Sequence, residues 1–570
     1  TTAGIAIGSS AGAVGLLTVN GANSLLSLGA NSTGIGVGRS GTGTLQVSGG
    51  GKVTIGAGGL GIGNQVGGHG TVVVSGAGAS ITTQGTSGGI NVGSSGTGVL
   101  NINSGGSVGA SGGVSIASGI SLASSSGSVT VDNGTLTATG FSIGNTSTGT
   151  LTVQNGGVVT NTGTGSVNIG FAAFSQGALI INGGTFTDTT GFFGVGNTNA
   201  SGTLQINTGG TLVTGGTTVP VDINATGTAV AAATVSGGVW NSNGMVNVAD
   251  AGNGSLTINA NGILNAGTNS LSIGNQTGGS GAVSVSAGTL DAGFLSIDNT
   301  ISGTASGTLT AGIGGVVQVT SINEGASGAI LVNGGTVTAS NGINIGTTGT
   351  NAFVTVGSGG LFAETGTFFL QIGSGFSTAA SGAVTVNSGG SLSAAGGITV
   401  GAGQTGGSGT LTVNGGAVTD NGSLNIGENF GTQSTSGTVV VQNSGSIGET
   451  ATFGVAISVA GGQGALLSIN NGVVTTTSGG FNVGGTNASG TLFVGAGGTL
   501  TNSGTFSAVI GASGTGQATA TVVGTGATWT TPGLFVGNTG SGSLEIGPAG
   551  LVNTGTFAIS IGNQSGSSGT

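Results

Sequence analysis

The stretch Gly149-Thr150-Leu151-Thr152-Val153-Gln154-Asn155-Gly156-Gly157 decides how the chain is read. Leu151 and Val153 lie two residues apart, with Thr150 and Thr152 interleaved. An extended segment of this kind has one aliphatic side and one hydroxylated side. Alternating aliphatic and β-branched residues closed by Asn-Gly-Gly spell a strand followed by a turn. The segment returns as Gly43-Thr44-Leu45-Gln46-Val47, Gly202-Thr203-Leu204-Gln205-Ile206, Gly409-Thr410-Leu411-Thr412-Val413 and Gly490-Thr491-Leu492-Phe493-Val494. From Gly15 to Gly542 its mean spacing is about 26 residues, a period that marks solenoids, propellers or arrays.

Two further runs fill each period. One ends in Ile-Gly, as in Phe141-Ser142-Ile143-Gly144, Val167-Asn168-Ile169-Gly170 and Leu424-Asn425-Ile426-Gly427; the other is short, as in Thr211-Leu212-Val213-Thr214 and Thr499-Leu500-Thr501-Asn502. Apolar residues do not recur at i, i+3 and i+4 over a helical length, so the chain reads as all-β. Three strands in about 26 residues are too few for a propeller blade, which takes four strands and about 40–45 residues. They suit one rung of a parallel β-helix. The expected fold is a right-handed parallel β-helix (β-solenoid) of about 21 rungs, three short strands per rung, its hand following the rule for parallel crossovers. It is expected to run as a single continuous solenoid over residues 1–570, with irregular rungs around 219–250 and 301–332. Leu151, Val153, Leu204, Ile206, Leu411, Val413, Leu492 and Val494 are the expected inward residues.

Composition narrows function by exclusion. The 570 residues include 136 Gly but only 2 Lys plus Arg and 12 Asp plus Glu, a net charge of −10. Arg39 and Lys52 cannot neutralise a run of phosphates, so no nucleic-acid partner is expected. The mean hydropathy of +0.42 is wrong for ordinary disorder. Without Cys there is no disulfide or thiolate zinc site. No run of 18 apolar residues is present, so no transmembrane helix is expected. No leader pattern opens at Thr1, which suits a mature or trimmed segment.

Few residues offer chemistry. Arg39 and His69 fall in what read as equivalent loops, with Lys52 in a neighbouring rung; together they suggest a small anion or sugar-acid contact, or simply a solvated patch. Asp291, Asp298 and Glu324 form one acidic set, in which adjacent rungs would bring Asp298 and Glu324 together. Asp420, Glu428 and Glu449 form another. Such sets can bind calcium or perform acid/base work. Neither has a neighbouring base or a Trp or Tyr platform, so surface carboxylates are expected. Thr-x-Thr pairs such as Thr150 and Thr152 have the alternation of an ice-binding face, but the file breaks at Gln46, Gln205, Phe493 and Glu545. No catalytic residue, cofactor or metal site is expected, and the chain does not read as an enzyme.

The alternation of Ile-Gly, Gly-Thr-Leu-x-Val and Asn-Gly-Gly with Thr-Leu/Val-Thr resembles bacterial autotransporter passengers. It is most similar to the short repeat they share with surface proteins that carry a PEP-CTERM sorting signal. The resemblance covers essentially the whole chain and implies a right-handed β-helix on or outside a Gram-negative cell. The C-terminal outer-membrane barrel and the sorting signal of those families are not in this sequence. Two roles are expected from it. One is a self-assembling subunit of a surface fibre, appendage or coat, polymerising head-to-tail or side-by-side with itself; the other is an adhesin passenger acting as a monomeric rod, in contact with a surface or polysaccharide.

Overall fold

A single rung exposes an aliphatic file that only the next rung can cover, so the strands form by stacking. The computed structural model describes residues 4–85, 87–119, 125–216, 219–226, 229–274, 276–298, 305–349, 351–375, 380–403, 406–429, 435–452, 454–459, 461, 463–511, 514 and 516–570. The chain divides into two compact units, the first built mainly from residues 1–274 and the second mainly from residues 293–570. Each is a parallel β-solenoid, and every described strand is part of the same three-column pattern.

In the first unit one rung consists of Phe141–Ile143, Thr148–Gln154 and Val158–Asn161, and the next of Val167–Ile169, Gln176–Asn182 and Thr185–Asp188. The two rungs pair in parallel and in register. Phe141 lies on Val167, Ile143 on Ile169, Leu151 on Leu179, Val153 on Ile181, and Val159 on Phe186. Leu151, Val153, Leu204 and Ile206 are fully buried, as the period-2 reading requires. Aromatic residues replace aliphatic ones in places, and Phe141, Phe186 and Phe193 meet edge-on at centroid distances of 5.5 and 6.2 Å. In the stretch 219–250, Val221–Ile223 pairs with both neighbouring rungs, and Trp240 is buried with its Nε1 donating to Thr214 Oγ1 at 2.7 Å.

The second unit repeats the scheme. Leu411, Val413, Leu492 and Val494 are fully buried, and Phe481 meets Trp529 edge-on at 5.9 Å. Within 301–332, residues 301–304 lie outside the described residues. The strands Ser306–Ala311, Val316–Glu324 and Gly328–Val332 follow, the first pairing with the third in register.

Glycine fixes the corner between the Ile-Gly strand and the Gly-Thr-Leu strand. Gly144 has φ +67°, and a Cβ there would lie 2.3 Å from the carbonyl oxygen of Gln176 in the next rung. A Cβ on Gly149 would lie 2.3 Å from the Gly144 nitrogen. The two glycines pack back-to-back, which is why the motif carries one at each end of the loop.

The inward columns predict an asymmetry across one strand. Leu411→Ala should lower stability by about 2–5 kcal/mol, whereas Thr412→Ala on the outer face should stay within about 0.5 kcal/mol. Urea unfolding of the two variants checks this; equal effects would contradict the assigned faces.

Candidate functional site

The third strand of each rung ends on a residue that alternation turns inward, and this position is often polar. Asn161, Asp188, Thr214, Ser242, Glu364, Asp420, Glu449, Thr476, Asn502 and Thr531 all occupy it and all are buried. Several of them cap the turn into the next Ile-Gly strand. Asn161 Nδ2 donates to Gly165 O at 2.6 Å and to Asp188 Oδ1 at 3.0 Å, and Asp188 Oδ1 accepts from Gly191 N at 3.1 Å. Glu364 accepts from the N–H groups of Gly366, Ala395 and Gly396. Asp420 Oδ1 accepts from Gly422 N at 3.0 Å and Glu449 Oε1 from Ala451 N at 2.6 Å. A buried turn must have its donors satisfied, and these side chains do so.

Asp420 and Glu449 are register partners on adjacent rungs. The oxygens that do not cap, Asp420 Oδ2 and Glu449 Oε2, are buried and unpartnered. Burial pushes each pKa up to about 7; the Gly422 and Ala451 N–H bonds oppose the shift, and the Glu449 charge adds to it at Asp420.

Asp298 and Glu324 depart furthest from the repeat. Asp298, at φ +44°, stands where other rungs place Gly after Ile, and its Oδ2 accepts from Ser327 N at 2.6 Å. Glu324 stands where the following rung has Ile345, inside the aliphatic file. Neither of its oxygens completes a hydrogen bond. Burial pushes its pKa well above the usual carboxylate range, with a further push from Asp298.

These placements correct the expectation of surface carboxylates. Asp298, Glu324, Asp420 and Glu449 are all fully buried: the last three occupy an inward phase of a strand, and Asp298 sits in the corner just after Ile297. Glu428 is not beside Asp420 and Glu449: it lies in the Ile-Gly column, half-buried, with Asn425 Nδ2 donating to it at 3.4 Å. Asp291 belongs to the first unit, and Asp298 and Glu324 to the second. The second unit contains no Lys, Arg or His, so its buried acids have no side-chain cation to oppose them.

The basic residues separate as well. Arg39 lies in the loop after Ile35–Val37, where its carbonyl accepts from Gln65 N at 3.0 Å. His69 instead opens the strand His69–Ser75 in register with Thr42, so the expected loop equivalence of Arg39 and His69 does not hold. Lys52 opens a strand of the third column, Lys52–Ile55. The charges are also asymmetric along the sequence: Arg39, Lys52 and His69 all precede Asp132, the first acidic residue of the chain.

Fold and corners together define a class, the parallel β-solenoids with a buried polar file at one corner. No protein-family model and no curated protein matches the chain. Among solved structures it is similar to one described as the crystal structure of a TibC-catalyzed hyper-glycosylated TibA55-350 fragment, at 15% identity over 98% of this chain and 99% of that one, with a TM-score of 0.10. At that score the superposition carries no argument about shape or role.

The buried acids reverse the usual response to acid. Asp420 and Glu449 rise from ordinary values of 3.8 and 4.5 to about 7, so the folded chain holds protons that the unfolded chain releases. Asp188, Asp222, Glu324 and Glu428 shift in the same direction. Stability should be fully present below the unfolded carboxyl range and fall as pH rises from about 4 to about 7. Melting curves across that range test this. Asp420→Asn combined with Glu449→Gln should flatten the slope, and a melting temperature that rises with pH would contradict the burial.

Proposed function

We propose that the chain is the passenger-type, extracellular part of a Gram-negative surface protein and works as a non-enzymatic adhesin, a monomeric contact surface. The observation that carries this reading is the sorting of its polar groups. Asp188, Glu364, Asp420 and Glu449 turn inward at the corners, while the outer faces carry in-register files rich in neutral hydroxyls and amides, with a few acids such as Asp132 and Glu545 left at least partly exposed. Ser128, Thr150, Ala178 and Thr203 share one outward column, and Thr130, Thr152, Ile180 and Gln205 another, each with one aliphatic member among its polar ones. Asn443 Nδ2 donates to Asn414 Oδ1 at 2.6 Å, and Asn414 Nδ2 to Asn387 Oδ1 at 3.2 Å, an amide ladder along three rungs. Such files offer many weak polar contacts and little charge, which suits a broad neutral surface such as a polysaccharide coat. The sequence resemblance to passenger repeats points the same way.

The purified chain should sediment as a monomer, and beads coated with it should adhere to bacterial or host cells. Adhesion should persist at about 0.5 M salt, where the Debye length falls to roughly 4 Å, because few of the contacts are ionic. Filaments in negative stain together with uncoated-bead levels of adhesion would overturn this reading in favour of the self-assembling fibre.

A further inference from the structure

The outer face of the Ile-Gly column in the first unit carries a trough that the repeat does not require. The strands Ile5–Ile7, Ile35–Val37, Leu60–Ile62 and Ile90–Val92 stack in register, so Ala6, Gly36, Gly61 and Asn91 form one outward file. Further along, the same file carries Ser115, Ser142 and Asn168. The reduction to Ala and Gly over three rungs opens a cavity of about 510 Å³, within the size range of small-ligand sites.

Its walls come from the loops that follow these strands. Arg39 lines one side, with Gln65, Asn91 and Ser94 beyond it. Gln65 is held in place by Ser40, whose Oγ donates to Gln65 Oε1. The Asn64 amide lies over Gly61, where a Cβ would approach its nitrogen to 2.1 Å, so Gly61 is needed for Asn64 to reach the trough. Asn64 Oδ1 is buried and has no hydrogen-bond partner.

The charge pattern selects the ligand. Arg39 is the only Arg of the chain, and the first 131 residues contain no Asp or Glu. Its guanidinium is exposed and meets no carboxylate among the described residues. A planar guanidinium matches a carboxylate in bidentate fashion, and the exposed amides of Gln65 and Asn91 match hydroxyls. We propose that this trough binds a carboxylate-bearing sugar, a uronic-acid unit of an acidic polysaccharide, with Arg39 taking the carboxylate and the exposed amides of Gln65 and Asn91 meeting ring hydroxyls. A lone cation excludes a polyphosphate ligand, because each phosphate contact needs its own countercharge. The proposal deepens the adhesin reading and rests on it only for where the sugar is displayed.

Isothermal titration of the full chain with an oligosaccharide of galacturonic acid tests the proposal. Arg39→Gln should weaken binding roughly tenfold or more, the loss of one charge-assisted bidentate contact. Gly36→Val should abolish it: a Cβ at Gly36 comes no nearer than 4.0 Å to any atom, so the side chain fills the trough without disturbing the rung. Lys52→Gln, outside the trough, should leave the affinity within about twofold, as expected of a distant, screened charge. Unchanged melting temperatures would confirm that each variant folds. Equal affinity for a neutral glucose oligosaccharide, saturation by acetate alone at the same affinity, or indifference to Arg39→Gln would overturn the proposal. If the titration fails while coated beads still adhere, the trough assignment falls and the adhesin reading stands; if binding is seen without adhesion, the reverse holds.

Discussion

The parallel, in-register pairing of each rung with the next is the constraint from which everything else follows. One rung holds only a few aliphatic side chains, worth about 1.5–3 kcal/mol each when buried, against about 1–2 kcal/mol per residue to order its backbone. Hydrogen bonds between rungs and files of like side chains, such as Leu151 on Leu179 on Leu204, supply what a rung lacks. Register is what makes those files possible. A one-residue slip would turn Leu151 and Val153 outward and Thr150 and Thr152 into the core.

Two local devices maintain the register. The glycine pair at Gly144 and Gly149 lets the chain turn so tightly that the next rung's backbone fits against it. The polar residue at the end of the third strand, Asn161 or Asp420 for example, satisfies donors in a turn that water does not reach. Using carboxylates for that purpose in a unit without basic residues links folding to protonation. The same inward placement takes Asp188, Glu364, Asp420 and Glu449 off the outer faces, where hydroxyls and amides are common. A structural solution at the corner therefore shapes the chemistry of the surface.

The strand columns were legible in the sequence because alternation with period 2 survives from rung to rung, even where Phe186 or Trp240 replaces a smaller residue. The buried carboxylates were not read, although the signal was present. Val418-Thr419-Asp420 and Ile447-Gly448-Glu449 place the acid in the same phase as the inward Val or Ile. The general rule that Asp and Glu lie outside outweighed that phase. Glu324 is harder to anticipate, since it breaks the Ile-Gly motif in a rung whose spacing is shortened. Arg39 and His69 were aligned by sequence distance alone, but strand register pairs His69 with Thr42 and leaves Arg39 beside Gln65. The trough is not legible in the sequence, because its depth depends on three small residues in different rungs and on how the Asn64 amide folds.

The chain contains no Cys, so a pair of introduced cysteines can report the stacking directly. Thr130, Thr152 and Ile180 occupy one outward column on three successive rungs. Adjacent positions are about 4.8 Å apart, within the distance a disulfide spans, and alternate ones about 9.6 Å apart, beyond it. The account predicts that Thr130→Cys with Thr152→Cys oxidises to a disulfide within one chain, and that Thr130→Cys with Ile180→Cys does not. Cross-linking of the second pair in preference to the first would contradict parallel, in-register stacking.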